Sequence, residues 1–216
     1  MGKRFPATVV NMFEIRRRVV PTLVIAAFIL LLSGCAAVDQ NVNFLYQPTA
    51  FGRDGSGGLY LSQTARLGSG GSMTAQWIIG EIKDKDGNNT GNIVTARSPA
   101  DTFLDAFTRE FKAAGYNVMP VNSLPTGVTK GIRLESVEIK LEEVDRLYKV
   151  ETMCTVKVSL EPWRNGNAIK RLNYENTYTD TTILDRDMIL LKSMQTALQE
   201  LMARVVREVT VILEQK

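Results

Sequence analysis

The chain has 216 residues, 26 Lys and Arg against 23 Asp and Glu, two cysteines and no histidine. The missing histidine excludes Ser-His-Asp and Cys-His catalysis and every His-containing metal centre. Residues 1–34 hold Lys3, Arg4, Arg16, Arg17 and Arg18 against Glu14, so they supply +4 of a formal +3 and the other 182 residues carry −1, which leaves no basic face for nucleic acid.

At the N-terminus Arg16 to Arg18 precede an apolar run from Val19 to Leu32, closed by Leu32-Ser33-Gly34-Cys35. The run has 14 residues, short of the about 20 that cross a hydrocarbon core. Pro21 weakens it further as a helix. A basic head, an apolar middle and a small-residue end make a cleavable export signal; an uncleaved membrane anchor is the alternative. The segment resembles a bacterial lipoprotein signal peptide with its lipobox. That resemblance implies that Leu32, Ser33 and Gly34 are the signal-cleavage recognition residues and that Cys35 is the lipid-attachment site. Translation starts at Met1 or at Met12, which would leave a basic head of ordinary length. With Cys35 acylated, Cys154 alone remains and no intramolecular disulfide forms.

Residues 35–74 read as a lipidated Gly/Ser-rich tether, loosest at Asp54-Gly55-Ser56-Gly57-Gly58 and Gly68-Ser69-Gly70-Gly71-Ser72. Two β-prone pieces interrupt it, Val42 to Tyr46 and Leu59 to Leu61. Residues 75–216 read as one domain. Gln76 to Lys83 is a strand, and Asp84 to Asn89 a hairpin turn. A calcium loop is disfavoured there, because counting from Asp84 its sixth and twelfth positions hold Asn89 and Thr95 rather than Gly and Glu.

Ser98-Pro99-Ala100-Asp101 opens a helix by capping, and Phe103, Leu104, Phe107, Phe111 and Ala114 recur at helical spacing before Gly115 ends it. Tyr116 to Met119 is a strand that Pro120 terminates. Ile132 to Val144 changes parity near Ser136, which predicts a β-bulge. Val150 to Leu160 alternates cleanly, with Cys154 on the apolar side. Asn165-Gly166 makes a tight turn into the strand Ala168 to Thr179. Asp185 to Leu213 is a long helix with Leu190, Met194, Leu198, Leu201, Met202, Val205, Val209 and Ile212 on one stripe. The fold class is therefore α+β, a mixed and mostly antiparallel sheet with two helices packed on one face in a single domain.

Little in the chain suggests catalysis. Glu142, Glu143, Asp145 and Glu151 form its one acidic concentration, and paired carboxylates can cleave glycosides. Arg146 and Lys149 lie among them, so the segment reads as a solvated hairpin end. The Gly68 loop precedes a strand and no P-loop lysine follows it. No catalytic residue, cofactor or metal is expected.

The lipobox, Phe44-Leu45-Tyr46-Gln47-Pro48, Gly80-Glu81-Ile82-Lys83-Asp84, and Ala113-Ala114-Gly115-Tyr116-Asn117-Val118, followed by strands and an amphipathic helix, resemble the YajG family of bacterial lipoproteins. The resemblance implies the compartment and architecture of a lipoprotein anchored to the membrane through lipid on Cys35, and the function expected with it is a non-enzymatic, periplasm-facing binding or assembly role with an envelope protein as partner. Ala36 and Ala37 after the cysteine imply delivery to the outer membrane. A lipid-handling module with an acyl chain between sheet and closing helix is the alternative, and a carboxylate enzyme acting on the cell wall is a third.

Overall fold

The computed structural model of the protein describes residues 39–49, 55–63 and 76–215. Cys35, Leu32, Ser33, Gly34 and the stretch Gly68 to Ser72 lie outside the described residues. In chain order the elements are β1 (Gln40–Asn41), β2 (Gly58–Gln63), β3 (Trp77–Lys83), β4 (Asn89–Thr95), α1 (Pro99–Ala113), β5 (Asn117–Val121), β6 (Lys130–Asp145), β7 (Val150–Arg164), β8 (Asn167–Ala168), β9 (Leu172–Thr182) and α2 (Arg186–Glu214). The fold is α+β, with a mixed, curled sheet and both helices on one of its faces.

Strand β6 organises the sheet. Its 16 residues pair along their whole length with antiparallel β7, and β9 lies beyond β7. The other edge of β6 is divided. Gly131–Leu134 pairs with parallel β2, followed by β5, whereas Leu141–Val144 pairs with parallel β3, followed by β4 and β1. The register of β6 against β7 shifts between Leu134 and Ser136. The predicted bulge is thus present, and it falls where β6 exchanges one partner for the other.

The inner face buries Ile132, Leu134, Ile139 and Leu141 of β6 and Cys154, Val156, Val158 and Leu160 of β7. On α1, Ser98 Oγ accepts from the Asp101 amide at 3.0 Å and donates to its carboxylate at 2.7 Å. Phe103, Phe107 and Phe111 point into the core, with successive ring centroids 5.7 and 4.5 Å apart. The helix ends in a Schellman motif: the Tyr116 amide donates to the Phe111 carbonyl and the Gly115 amide to that of Lys112. Gly115 takes the positive φ, +106°, that this motif requires. The apolar stripe foreseen on α2 is buried at all eight positions. Arg164 caps the far end of α2, its Nη1 donating to the Ile212 carbonyl at 3.0 Å and that of Gln215 at 2.6 Å.

Several segments differ from expectation. Asn89–Thr95, to which the sequence reading assigns no element beyond the turn that ends at Asn89, is a strand whose second half, Ile93 to Thr95, is buried. Pro120 does not end β5, which continues to Val121. A proline is tolerated there because β5 lies at the edge of the sheet and needs no donor on that side. At Asn165 and Gly166, φ values of 51° and 80° match the mirror-image turn that the pair favours.

Of the two β-prone pieces before Gln76, Leu59–Leu61 lies in β2, with both leucines buried between β5 and β6. Val42 to Tyr46 follows β1 and forms no strand of its own, yet it is tied down. Val42 and Tyr46 are buried, and the Gln47 carbonyl accepts from Gln195 at 2.6 Å and Gln199 at 2.9 Å, both on α2. Tyr46 and Thr49 reach the other helix: the Tyr46 hydroxyl, the Thr49 amide and the Thr49 hydroxyl all donate to Oε1 of buried Glu110.

Candidate functional site

Three loops meet where β6 ends. They are the β3–β4 turn, the β6–β7 hairpin tip Arg146–Lys149, and the connection from β9 to α2. In the first, the Asp84 carboxylate is occupied by the turn itself, accepting from the Asp86 and Asn88 amides at 2.9 and 2.8 Å and from the Asn88 side chain. Those bonds hold the Asp84 carboxyl below the usual range.

The hairpin tip breaks with ordinary turn chemistry. Arg146 donates its amide to the Lys149 carbonyl at 2.8 Å, so Leu147 and Tyr148 are the residues at the apex. Such positions favour Gly, Asn, Asp and Ser, because these supply the backbone conformation or local hydrogen bonds. Leucine and tyrosine offer neither, and here they project into solvent. Ile183 and Leu184 of the adjoining loop do likewise, as does Met188 in the first turn of α2. These five are between 64% and 89% exposed. Leu147, Tyr148, Ile183 and Leu184 line one shallow concavity together with Lys149 and Arg186. The signal for this surface in the sequence is a set of apolar residues at turn positions, beside the more conspicuous acids.

Those acids are not one solvated group. Glu143 points to the helix side of the sheet and is fully buried, where Arg186 Nε stands 2.9 Å from its Oε1. Arg186 also reaches Asp145 at 2.6 Å. Burial pulls the Arg186 guanidinium down, but Asp145 and Glu143 outweigh it and hold it above its ordinary value. Glu142, one residue earlier, points to the opposite face and pairs with Lys83 at 3.0 Å. Successive strand residues alternate in this way. Glu142 and Glu143 are therefore on opposite sides of a sheet and cannot flank one glycosidic bond. The expectation of an exposed hairpin end fails for Glu143 because the inner face of β6 continues past the apolar residues to meet the start of α2.

Cys154 is fully buried between β6 and β9, and burial alone pushes its thiol up to about 12, which leaves it protonated and unreactive. Between sheet and closing helix, Leu141, Cys154, Val156, Leu160, Leu190, Leu198, Leu201, Val205 and Val209 have no accessible surface at all. Among the described residues, no helix is long and apolar enough to cross a membrane.

No family model and no curated protein matches the chain. Among solved structures it is similar to a Xanthomonas campestris protein of the DUF330 family, with 11% identity and a TM-score of 0.48 over 81% of this chain and 95% of that one. It is also similar to a minor lipoprotein from Acinetobacter baumannii, at 10% identity and a TM-score of 0.38 over 71% and 92% of the two chains. Rare lipoprotein B from Shewanella oneidensis aligns at 10% identity and a TM-score of 0.31 over 62% and 92%.

Proposed function

We propose that the protein is an envelope lipoprotein of the YajG type. In this reading a signal peptide, residues 1–34, is removed and Cys35 becomes the acylated first residue. The domain is then held at the periplasmic face of the outer membrane and acts there as a non-enzymatic binding or assembly component for an envelope protein. The observation that carries this reading is the order Arg16-Arg17-Arg18, Val19 to Leu32, Leu32-Ser33-Gly34-Cys35. Several acyl chains on one cysteine give durable attachment, since each buried CH₂ contributes about 0.8 kcal/mol and single-chain binding is only marginal. A non-enzymatic role is supported by the missing histidine, by the buried protonated Cys154 and by the separation of Glu142 from Glu143.

The lipid-handling alternative draws no support from the filled interface between sheet and α2. Native mass spectrometry of the mature protein tests it, because co-purified phospholipid would favour it over the assembly role. Metabolic labelling with an alkyne analogue of palmitate tests the lipoprotein reading itself. Label should enter the parent protein and be absent from Cys35→Ser, which should accumulate as a longer, unprocessed chain. Equal processing and fractionation of the two proteins would exclude it.

A further inference from the structure

The loop end of the domain has a chemistry and a position that point to one occupant. We infer that Leu147, Tyr148, Ile183, Leu184 and Met188 form a membrane-contact surface, so that the mature domain stands on the bilayer with β6 ending at the lipid headgroups. The inference rests on the lipoprotein reading, because its argument starts from an acyl chain on Cys35.

Strand β1 runs parallel to β4, with Gln40 opposite Ile93 and Asn41 opposite Val94, and the Asp39 carboxylate accepts from the Asn92 amide at 3.3 Å and its side chain at 3.0 Å. Since β4 starts beside the end of β3, and β3 ends beside Val144, the chain enters the sheet from the loop end. Asp39 is four positions beyond Cys35, a reach of at most about 14 Å. Asp39 is level with the fourth residue of β4, about 10 Å in from that end of the sheet. The lipid surface is thus within reach of Cys35 when the loop end faces it. It is out of reach with the domain inverted, because β6 alone is 16 residues, about 50 Å, long.

Two orientations satisfy the short link, lying on the β1 edge or standing on the loop end, and the exposed side chains choose between them. Tyr148 and Leu147 at the hairpin apex, Ile183 and Leu184 in the adjoining loop and Met188 in the first turn of α2, flanked by Arg146 and Lys149, match the make-up of an interfacial contact in which apolar groups enter the headgroup boundary and cations remain beside it. The charge is mixed rather than uniformly basic, since Asp145 and Asp185 share this end. Apolar insertion therefore provides the contact, and binding should depend only weakly on anionic lipid.

The test uses the mature lipidated protein in vesicles of phosphatidylethanolamine with a minor fraction of phosphatidylglycerol and a lipid bearing a headgroup-level nitroxide. Cysteines introduced singly as Tyr148→Cys and Leu184→Cys carry an NBD fluorophore, with Ile169→Cys and Val211→Cys as exposed positions at the opposite end. Buried Cys154 does not label. Quenching at 148 and 184 should be roughly threefold or more stronger than at 169 and 211, with blue-shifted emission. Equal, weak quenching at all four sites in vesicle-bound protein would overturn the inference and leave the lipoprotein reading standing. Equal quenching combined with protection of 148 and 184 only when envelope protein is added would overturn it in favour of a protein partner. A protein that carries no acyl chain and does not float with the vesicles would overturn both.

Discussion

Arg186, in the first turn of α2, holds its Nε 2.9 Å from Oε1 of Glu143, a carboxylate with no exposed surface on the inner face of β6. This contact locks the start of the longest helix to the end of the longest strand and so fixes the loops on either side. Removing Arg186 takes a cation away from a carboxylate with no exposed surface, which costs more than the pair itself contributes. Arg186→Ala should lower unfolding free energy by about 1–3 kcal/mol, reduced from the fully buried case because Arg186 is 45% exposed. Denaturant unfolding of Arg186→Ala, Glu143→Gln and the double variant should show the double variant less destabilised than the sum of the two.

The segment before β2 is attached to both helices through short polar contacts, and the contact of Tyr46 with Glu110 is the most buried of them. Burial first, then the bond to Glu110, pushes the Tyr46 phenol far up, so it stays a donor at any physiological pH. Tyr46→Phe removes one bond to a buried carboxylate that keeps its two donors from Thr49. Stability should fall by about 2 kcal/mol, and hydrogen exchange should rise selectively over residues 42–49. An unchanged melting temperature would show that this stretch hangs free.

Much of the architecture was legible because it rests on local rules. The cap at Ser98, the glycine at 115, the Asn165-Gly166 turn and the stripe on α2 each follow from residues a few positions apart. The parity slip at Ser136 was visible too, although its cause, the exchange of β2 for β3 along one edge, is a matter of topology. What escaped was non-local. A polar start hid β4, whose burial comes only from its second half. Leu59 and Leu61 sit in a Gly-rich neighbourhood that gave no sign of a central strand. Glu143 reads as surface until α2 arrives above it. The loop end is not legible locally because Leu147-Tyr148 and Ile183-Leu184 are 36 positions apart, and the pairing of Val150 with Thr182 brings them together. The proposed lipid attachment at Cys35 rests on sequence alone and lies outside the described residues.

Acid should loosen the far end of α2. Glu214 Oε1 accepts from Tyr116 at 2.8 Å, from Lys130 at 2.6 Å and from the Ser56 amide at 3.3 Å. Burial raises its carboxyl, but these bonds together outweigh burial and hold it below the usual value. Glu208 is likewise held low by Lys170 and then Tyr174, and Asp180 by Lys192. For carboxylates lowered in the folded state, the stabilisation is complete above the unfolded value and is lost as pH falls through the folded one. Stability should thus be level near neutrality and decline below about pH 4. Glu214→Gln should flatten that decline in thermal melts taken across the acid range.

Thiol titration separates the two cysteines. Cys154 is buried and its thiol is pushed up to about 12, so it should not react with a maleimide at mild alkaline pH until the protein is denatured. The lipoprotein proposal, which puts a thioether on Cys35, then predicts a single reactive thiol on denaturation of protein extracted from membranes. Two thiols would mean that Cys35 is free.

Intact mass measurement of the protein extracted from bacterial membranes tests the central claim most directly. The account predicts a chain beginning at Cys35, heavier than its peptide mass by a diacylglyceryl group and an amide-linked acyl chain. A mass that retains residues 1–34, or a chain starting at Cys35 without acyl groups, would contradict it.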